Sequence, residues 1–269
     1  MSIARYPSAA FDNIAELYDE MFTRTLVGRI QRDAVWEIAR RHFQAGDSIL
    51  ELNCGTGEDA FFLAASGMNV LACDISSGMI EVANRRKERS RVGPEVEFLV
   101  LATEDLRVLH DGPRFDGVFS NFSGLNCVGD LGAVAQNLAR LIRPGGRAVL
   151  CLTNKYCLWE MAWYSLRGRF RKAFRRWTSD GISASVGNGT VTVHYPTLRH
   201  ILKSFSQNFK PLEVRGVGIA VPPSYIEAWV RNKQWWLSLA SSLDRRISRL
   251  PLLRGLGDHI VIALERTFP

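Results

Sequence analysis

A short apolar run that stops in a glycine-rich turn, followed by an acid at the end of a second apolar run, leaves a chain few folds to choose from. Here the run and turn read Ile49-Leu50-Glu51-Leu52-Asn53-Cys54-Gly55-Thr56-Gly57-Glu58-Asp59, and the acid is Asp74. Gly55 and Gly57 permit positive φ and let a ligand approach the backbone with no Cβ in the way. An acid about 20 residues past such a turn is placed to accept hydrogen bonds from a ribose diol.

The flanking sequence keeps the same rhythm. Phe11 to Phe43 reads as helices, with apolar residues at helical spacing in Ile14, Leu17, Tyr18 and Met21, then Ile30, Val35, Trp36 and Ile38. Strands are expected at Ser48–Leu52, Asn69–Cys73, Val96–Leu101, Phe115–Ser120 and Arg147–Thr153. Helices fall between them at Asp59–Ser66, Ser77–Arg89, a turn near Glu104, and Leu131–Leu141. Alternation of this kind means βαβ units and a parallel, doubly wound sheet covered on both faces. After Thr153 the rhythm breaks. Tyr156–Trp177 is expected to be helical, aromatic and basic. Ile182–Val186 and Thr190–His194 flank Gly187-Asn188-Gly189, a hairpin signal because those residues accept positive φ. Leu198–Phe209 returns to a helix and Leu212–Val221 to a strand halted by Pro222-Pro223. Ser224–Leu250 then reads as helical and Asp258–Arg266 as a last strand.

Gly55-x-Gly57-x-x-Ala60 also satisfies the dinucleotide fingerprint, in which a pyrophosphate sits on the helix N-terminus. Glu58 and Asp59 occupy that first turn, where two carboxylates satisfy the helix dipole and repel a diphosphate. Glu51 adds a third negative group. A ligand with no phosphate and a cationic end suits the loop better.

These motifs resemble those of class I S-adenosylmethionine (SAM)-dependent methyltransferases. Glu51–Gly57 is similar to their E/D-x-G-x-G-x-G turn and Asp74 to their second-strand acid. Ala102-Thr103-Glu104-Asp105-Leu106 resembles the stretch after the third strand. Phe115–Ser120 resembles the fourth-strand signature, and Leu141-Ile142-Arg143-Pro144-Gly145-Gly146-Arg147 the turn before the fifth. Phe11–Phe22, with Tyr18-Asp19, looks like the helix that small-molecule methyltransferases, including those of ubiquinone and menaquinone biosynthesis, fold over the cofactor. The likeness covers roughly the first 155 residues. It implies an α/β, Rossmann-like, mostly parallel seven-stranded sheet with a helical cap (residues 1–46), a SAM-binding core (47–154), an inserted helix–hairpin lid (155–195) and a part completing the sheet (196–269). It also implies that Glu51, Asn53 and Gly55 line the methionine side of SAM, and that Gly57 and Tyr18 are among the cofactor-binding residues. Asp74 would hold the ribose, Ile75, Met79, Thr103 and Glu104 would flank the adenine, and Asn121 and Phe122 would lie beneath the sulfonium. Two positions depart from the pattern. Asn53 replaces the usual first glycine, which its tolerance of left-handed backbone allows, and Ala102 stands where an adenine-contacting Asp is common.

Methyl transfer from a sulfonium is an in-line displacement, for which alignment and exclusion of water are the main requirements. A base is needed only if the acceptor loses a proton. The candidates are His194 and Tyr195 at the end of the hairpin, His being suited by its intrinsic pKa. His42, His110, His200 and His259 sit beside charged or loop residues and read as surface groups. No His/Cys/Asp cluster has metal-ligand spacing. The sequence after the fourth strand, Ser120-Asn121-Phe122-Ser123, lacks the Pro-Pro of enzymes acting on adenine or amide nitrogens, and no RNA-binding module is visible. A small-molecule or lipid-like acceptor is expected. The competing readings are an RNA methyltransferase and a SAM-binding protein without methyl transfer.

Charge locates a second partner. Residues 1–150 balance at −4 and residues 151–269 at +11. Trp159–Trp177 combines aromatic and apolar groups with Arg167, Arg169, Arg171, Lys172, Arg175 and Arg176, and has no acid between Glu160 and Asp180. A helix of that make-up can lie in an anionic headgroup layer. No apolar run reaches the roughly 18 residues of a membrane span, and the first residues lack a signal-peptide core. The five cysteines have no paired spacing and read as free thiols. A cytoplasmic protein, peripheral at the inner membrane face where that helix docks, is expected.

Overall fold

The computed structural model describes residues 10–90 and 95–268. The expected cap is therefore seen from Ala10 onward, and residues 1–9 lie outside the described residues. A 3-10 turn at Asp12–Ile14 leads into α1 (Ala15–Tyr18), a π-type turn at Asp19–Thr23 and α2 (Leu26–His42). The alternating part follows as β1 (Ser48–Leu52), α3 (Glu58–Ala65), β2 (Asn69–Asp74), α4 (Ser77–Arg89), β3 (Val96–Val100), a 3-10 stretch Thr103–Leu109, β4 (Phe115–Ser120), α5 (Leu131–Leu141) and β5 (Ile142–Thr153). Side chains at the helix starts explain several of these boundaries. Thr25, Ser76 and Asp130 accept hydrogen bonds from backbone N–H groups two or three residues on, satisfying donors that a helix leaves open.

The second half contains α6 (Leu158–Ser165), α7 (Phe170–Ala173), β6 (Ile182–Val186), β7 (Gly189–Val193), α8 (Leu198–Phe205), β8 (Phe209–Val217), α9 (Glu227–Val230), α10 (Gln234–Ile247) and β9 (His259–Arg266). Three expectations change here. The helix read over Tyr156–Trp177 is two short ones, parted at Gly168, whose φ of +67° ends the first in a left-handed turn. The helix read over Ser224–Leu250 breaks likewise between Val230 and Gln234. β8 starts at Phe209 and stops at Val217, before the double proline, because Gly218 turns at φ +70° against Gln31 and Asp258.

The seven strands lie in the order β3-β2-β1-β4-β5-β9-β8, and β6 and β7 form a separate hairpin. β1 to β5 pair in parallel, while β9 enters antiparallel between β5 and β8. Alternation along the strands splits the core in two. Leu50, Leu52, Val118, Leu150 and Ile262 face α5 and α8 through Val134, Leu138, Ile201 and Phe205. Ile49, Phe119, Val149 and Val261 face α2 and α3 through Val35, Ile38, Ala39 and Leu63. Each large side chain so buried contributes about 1.5–3 kcal/mol. The strand order reverses between β1 and β4, and a ligand crevice forms outside the carboxyl ends of strands at such a switch point. Among the described residues no helix is long and apolar enough to cross a membrane.

Candidate functional site

The turn between β1 and α3 is a run of left-handed residues. Asn53, Gly55 and Gly57 have φ of +56°, +55° and +82°. A Cβ on Gly57 would stand 2.7 Å from the Phe98 ring, so close packing forces glycine there. Asn53 tolerates the conformation and uses its side chain, accepting a hydrogen bond from Thr103 Oγ1 at 3.3 Å and so joining the turn to the residues after β3. At the end of β2 the two carboxylate oxygens of Asp74 accept from Gly55 N and Ser76 N, both at 2.9 Å. The turn is thus tied to the acid that the sequence placed beside it. Burial pushes the Asp74 carboxyl up.

Below the turn, Glu51 is 1% exposed and its Oε2 has no hydrogen-bond partner. Burial pushes its carboxyl well above the usual range, and nearby Asp59 and Asp74 add to the shift. A buried carboxylate oxygen left open is costly. It fits a ligand that brings a cation.

Asn53, Gly55 and Asp74 border a cavity of about 450 Å³. Tyr18, Asn53, Gly55, Asp74, Ile75, Met79, Thr103, Glu104 and Phe122 are on its wall; Glu51, Gly57, Asn121, His194 and Tyr195 are not. The opposite wall is the β6–β7 hairpin, through Ala184, Val186, Thr190, Val191 and Val193. The wall includes two carboxylates, Asp74 and Glu104, and no Lys or Arg among the described residues. The volume is within the range of small-molecule sites.

The cap is stitched to this site by two acids, Asp12, which the sequence reading passed over, and Asp19. Asp12 Oδ1 accepts from Ser76 Oγ at 2.5 Å and Gly78 N at 3.1 Å, at the start of α4. Asp19 accepts from Thr56 Oγ1 at 2.6 Å and pairs with Arg86 at 3.1 Å. Between these anchors Tyr18 is pressed over the turn, its hydroxyl pushed up to about 12 by burial. The hairpin is held by Asn126, which is fully buried. It exchanges hydrogen bonds with the backbone of His194 (2.7 and 2.6 Å) and of Thr153 (2.8 and 3.0 Å).

Glu58 and Asp59 do begin α3, but neither carboxylate stands alone. Glu58 pairs with Arg86 at 2.5 Å. Asp59 is buried and pairs with Arg32 of α2, accepting also from Trp36 Nε1 at 2.5 Å and from the Asn121 amide at 3.2 Å. Repulsion of a diphosphate by this helix start is therefore weaker than the bare sequence suggests. Arg32 itself was missed; the signal was a pair of polar residues, Gln31 and Arg32, on the stripe of α2 that also buries Val27 and Val35. Its guanidinium lies 4.7 Å from the centroid of the Phe122 ring.

Phe122 and Ser123 have φ of +44° and +69°, a strained strand end of the kind that collects at functional sites. Asn121 Oδ1 accepts from Phe122 N at 2.8 Å, so the Asn121 side chain shapes the turn. The rings of Phe122 and His259 meet at 73°, edge to face, with centroids 5.4 Å apart. His259, read as a surface group, is 9% exposed because β9 inserts into the sheet; burial depresses its pKa against the pull of Asp258. His42 is likewise drawn inward, 3.1 Å from Glu213. The ring of His194 lies along Gly181, and Tyr195 packs near the Arg176 guanidinium, 5.4 Å from the ring centroid. Neither hairpin-end residue reaches the cavity.

Comparison with known proteins bears on this geometry. Residues 49–146 match a family described as a methyltransferase domain. Over 147 residues the chain is 38% identical to the demethylmenaquinone methyltransferase of Clavibacter sepedonicus, covering 54% of this chain and 56% of that one. The chain spans less than two thirds of the curated relatives it matches, 56% to 60% for the first three. Among solved structures, a SAM-dependent methyltransferase from Methanosarcina mazei superposes with a TM-score of 0.59 at 18% identity, over 86% of this chain and 98% of that one. The [4+2]-cyclase SpnF superposes at 0.63 with 13% identity, over 98% of both chains. Likenesses at such identity speak for the fold alone, which hosts more than one chemistry. The domain match, the strand order and the glycine turn with its second-strand acid agree: residues 49–146 match a methyltransferase domain, and the sheet around them has the fold of the SAM-dependent methyltransferases it superposes on.

Proposed function

We propose that the chain binds SAM in the 450 Å³ cavity and transfers its methyl group to a small acceptor with an apolar body. The observation that carries this is a cavity wall with two carboxylates, Asp74 and Glu104, and no Lys or Arg among its described residues, with the unpartnered Glu51 Oε2 buried below the turn that forms part of that wall. The α-ammonium of SAM suits Glu51 and its ribose diol suits Asp74, while a diphosphate finds no cation on this wall. Bound SAM would supply the electrophilic methyl. The chain's part is to hold the amino-acid end at Asn53–Gly57, to lay the adenine between Ile75 and Thr103, and to exclude water with Tyr18 and the hairpin. Val186, Val191 and Val193 give the acceptor an apolar surface to lie against, in keeping with relatives named for a demethylmenaquinone. With His194 and Tyr195 off the wall, alignment carries the catalysis.

Methyl-labelled SAM, incubated with the protein and with cell extract divided into lipid, small-molecule and RNA pools, tests the proposal. Label is expected in the lipid or small-molecule pool. Label confined to RNA would overturn the acceptor class, and SAM binding without label in any pool would overturn the transfer.

We infer further that the outer part of Trp159–Trp177 meets an anionic membrane. Two of its six cations do not contribute. Arg176 is buried on Glu160 and Asp258, and Arg175 closes on Glu160 at 2.5 Å. Arg167, Arg169, Arg171 and Lys172 remain exposed beside Leu166 and Phe170, which are 85% and 60% exposed.

A further inference from the structure

The outward face of α10 is apolar where a surface helix is ordinarily polar. Trp235, Leu239 and Leu243 follow one another at four-residue spacing and are 67%, 61% and 48% exposed. They lie on the side away from Leu237 and Ala240, which pack into the core with Val221 and Val230. Three large apolar side chains in a row extend about 12 Å along the helix, and an apolar stripe turned to solvent marks a binding surface.

This stripe adjoins the aromatic segment discussed above. Trp229 of α9 and Trp236 of α10 pack on Trp159 of α6 with ring centroids 6.1 and 5.7 Å apart. Trp163 meets Trp229 at 5.6 Å, and Tyr164 stacks on Tyr225. Two apolar stretches separated by some sixty residues in sequence therefore meet at one tryptophan cluster.

Between residues 224 and 254 the exposed charges are of one sign, although Arg249 reaches Glu213 at 3.7 Å. Arg245, Arg246 and Arg249 are exposed, and Arg246 falls within the apolar stripe by helical spacing. The two acids between residues 224 and 254 are turned inward. Glu227 is buried and accepts from Val27 N at 3.2 Å, and Asp244 accepts from Ala220 N and Val221 N at 2.6 and 3.2 Å. Arginine stems cover apolar surface while their heads reach phosphates, so this combination complements an anionic headgroup layer.

We propose that α10 and the α6–α7 segment form one docking face for an anionic phospholipid bilayer, with Trp235, Leu239 and Leu243 entering the interface and the arginines holding phosphate groups. The proposal rests on the reading that α6–α7 meets a membrane, and it adds the larger apolar half of that face. Each cation near such a surface strengthens partitioning roughly fivefold, so the basic residues also make docking salt-dependent.

Flotation of the full chain with vesicles of phosphatidylglycerol and phosphatidylcholine tests both parts separately. The wild-type protein is expected to float with these vesicles at low salt and to be released at high salt. The Trp235→Gln/Leu239→Gln/Leu243→Gln variant changes only exposed positions, and retained SAM binding reports that it is folded; at least a tenfold loss of partitioning is expected. The Leu166→Gln/Phe170→Gln variant is expected to lose a comparable factor. If the α10 variant floats like wild type while the α6–α7 variant does not, α10 is no part of the face and the earlier reading stands alone. If wild type fails to float at low salt, both fall. If the α10 substitutions convert a dimer to a monomer and leave flotation unchanged, the stripe is a contact between two copies, and the proposal is overturned.

Discussion

Replacing Glu51 by Gln separates what the fold needs from what the ligand needs. In the unliganded protein Glu51 Oε2 is buried without a partner, a burden of about 1–3 kcal/mol for a polar group and more for a charged one. Glu51→Gln keeps the shape and removes the need to take up a proton on burial, so near neutral pH the unliganded protein should gain about 1–2 kcal/mol, or roughly 2–8 °C in Tm for a chain of this size. SAM binding should move the other way. Losing a charge-assisted hydrogen bond to an ammonium group costs about 1.5–3 kcal/mol, a rise in Kd of roughly 10- to 150-fold. The pH dependence has a definite sign. Because the folded protein holds the Glu51 proton more tightly than the unfolded chain, this group's contribution to stability is fully present below the ordinary carboxylate pKa. It is lost as pH rises from there toward the raised value. Asp74 adds a slope in the same direction, so the difference between wild type and the variant isolates Glu51. A cationic ligand favours the carboxylate, so SAM binding should release a proton from wild type and not from Glu51→Gln. Thermal unfolding across pH, with calorimetry of SAM in two buffers of different ionisation enthalpy, measures all three effects. A variant that binds SAM as wild type does, or that is less stable without it, would refute the reasoning.

Three further outcomes follow from the same geometry. Asp74→Asn leaves one oxygen to serve Gly55 N, Ser76 N and the ribose, so calorimetry should show SAM affinity reduced about 10- to 100-fold; NAD binding at wild-type strength would revive the dinucleotide reading. Arg32→Met leaves the buried Asp59 carboxylate without its counter-charge and should cost about 3–5 kcal/mol in denaturant unfolding, with the Arg32→Met/Asp59→Asn double variant, which keeps an acceptor for Trp36 and Asn121, recovering part of it. A general base contributes about 10²–10⁴-fold in rate. His194→Ala, whose ring lies along Gly181 off the cavity wall, should keep turnover within about threefold of wild type, and a hundredfold drop in the labelled-SAM assay would make it the base after all.

Much of the core could be read residue by residue. β1, β4, α4 and α5 begin and end where the sequence pattern puts them, because local signals mark both ends: β-branched or apolar runs for the strands, capping side chains and period for the helices. The glycine turn and Asp74 come together as the spacing predicts, since β1 and β2 are neighbours joined by one helix. What could not be read depends on partners far away in sequence. Glu58 and Asp59 look like a repulsive pair until Arg86 and Arg32, 28 and 27 residues distant, are folded against them. His259 looks solvated until β9 is inserted between β5 and β8. Gly168 was a weak local signal, because single glycines are tolerated within helices, and the aromatic spacing on either side suggested continuity.

The same distinction resolves the charge asymmetry. A balance of +11 over residues 151–269 suggests a groove for a polyanion, yet a groove needs its cations beside the reacting centre, where phosphates would pass. The cavity wall is lined instead by hairpin valines and by Asp74 and Glu104. Many of the basic residues of the second half go to two other places. Arg176 is buried on Glu160, Arg175 closes on the same acid from the surface, and Arg215 meets Glu213 at 2.6 Å, ion pairs that tie the second half together. Arg167, Arg169, Arg171, Lys172, Arg246 and Arg249 remain exposed around the tryptophan cluster and the stripe of α10. Positive charge kept away from the cavity and gathered around exposed aromatic and aliphatic groups is an arrangement for a surface that is anionic outside and apolar within. A bilayer has both properties and a nucleic acid has only the first, so the distribution of charge, more than its total, favours a lipid-like acceptor reached from a membrane over an RNA.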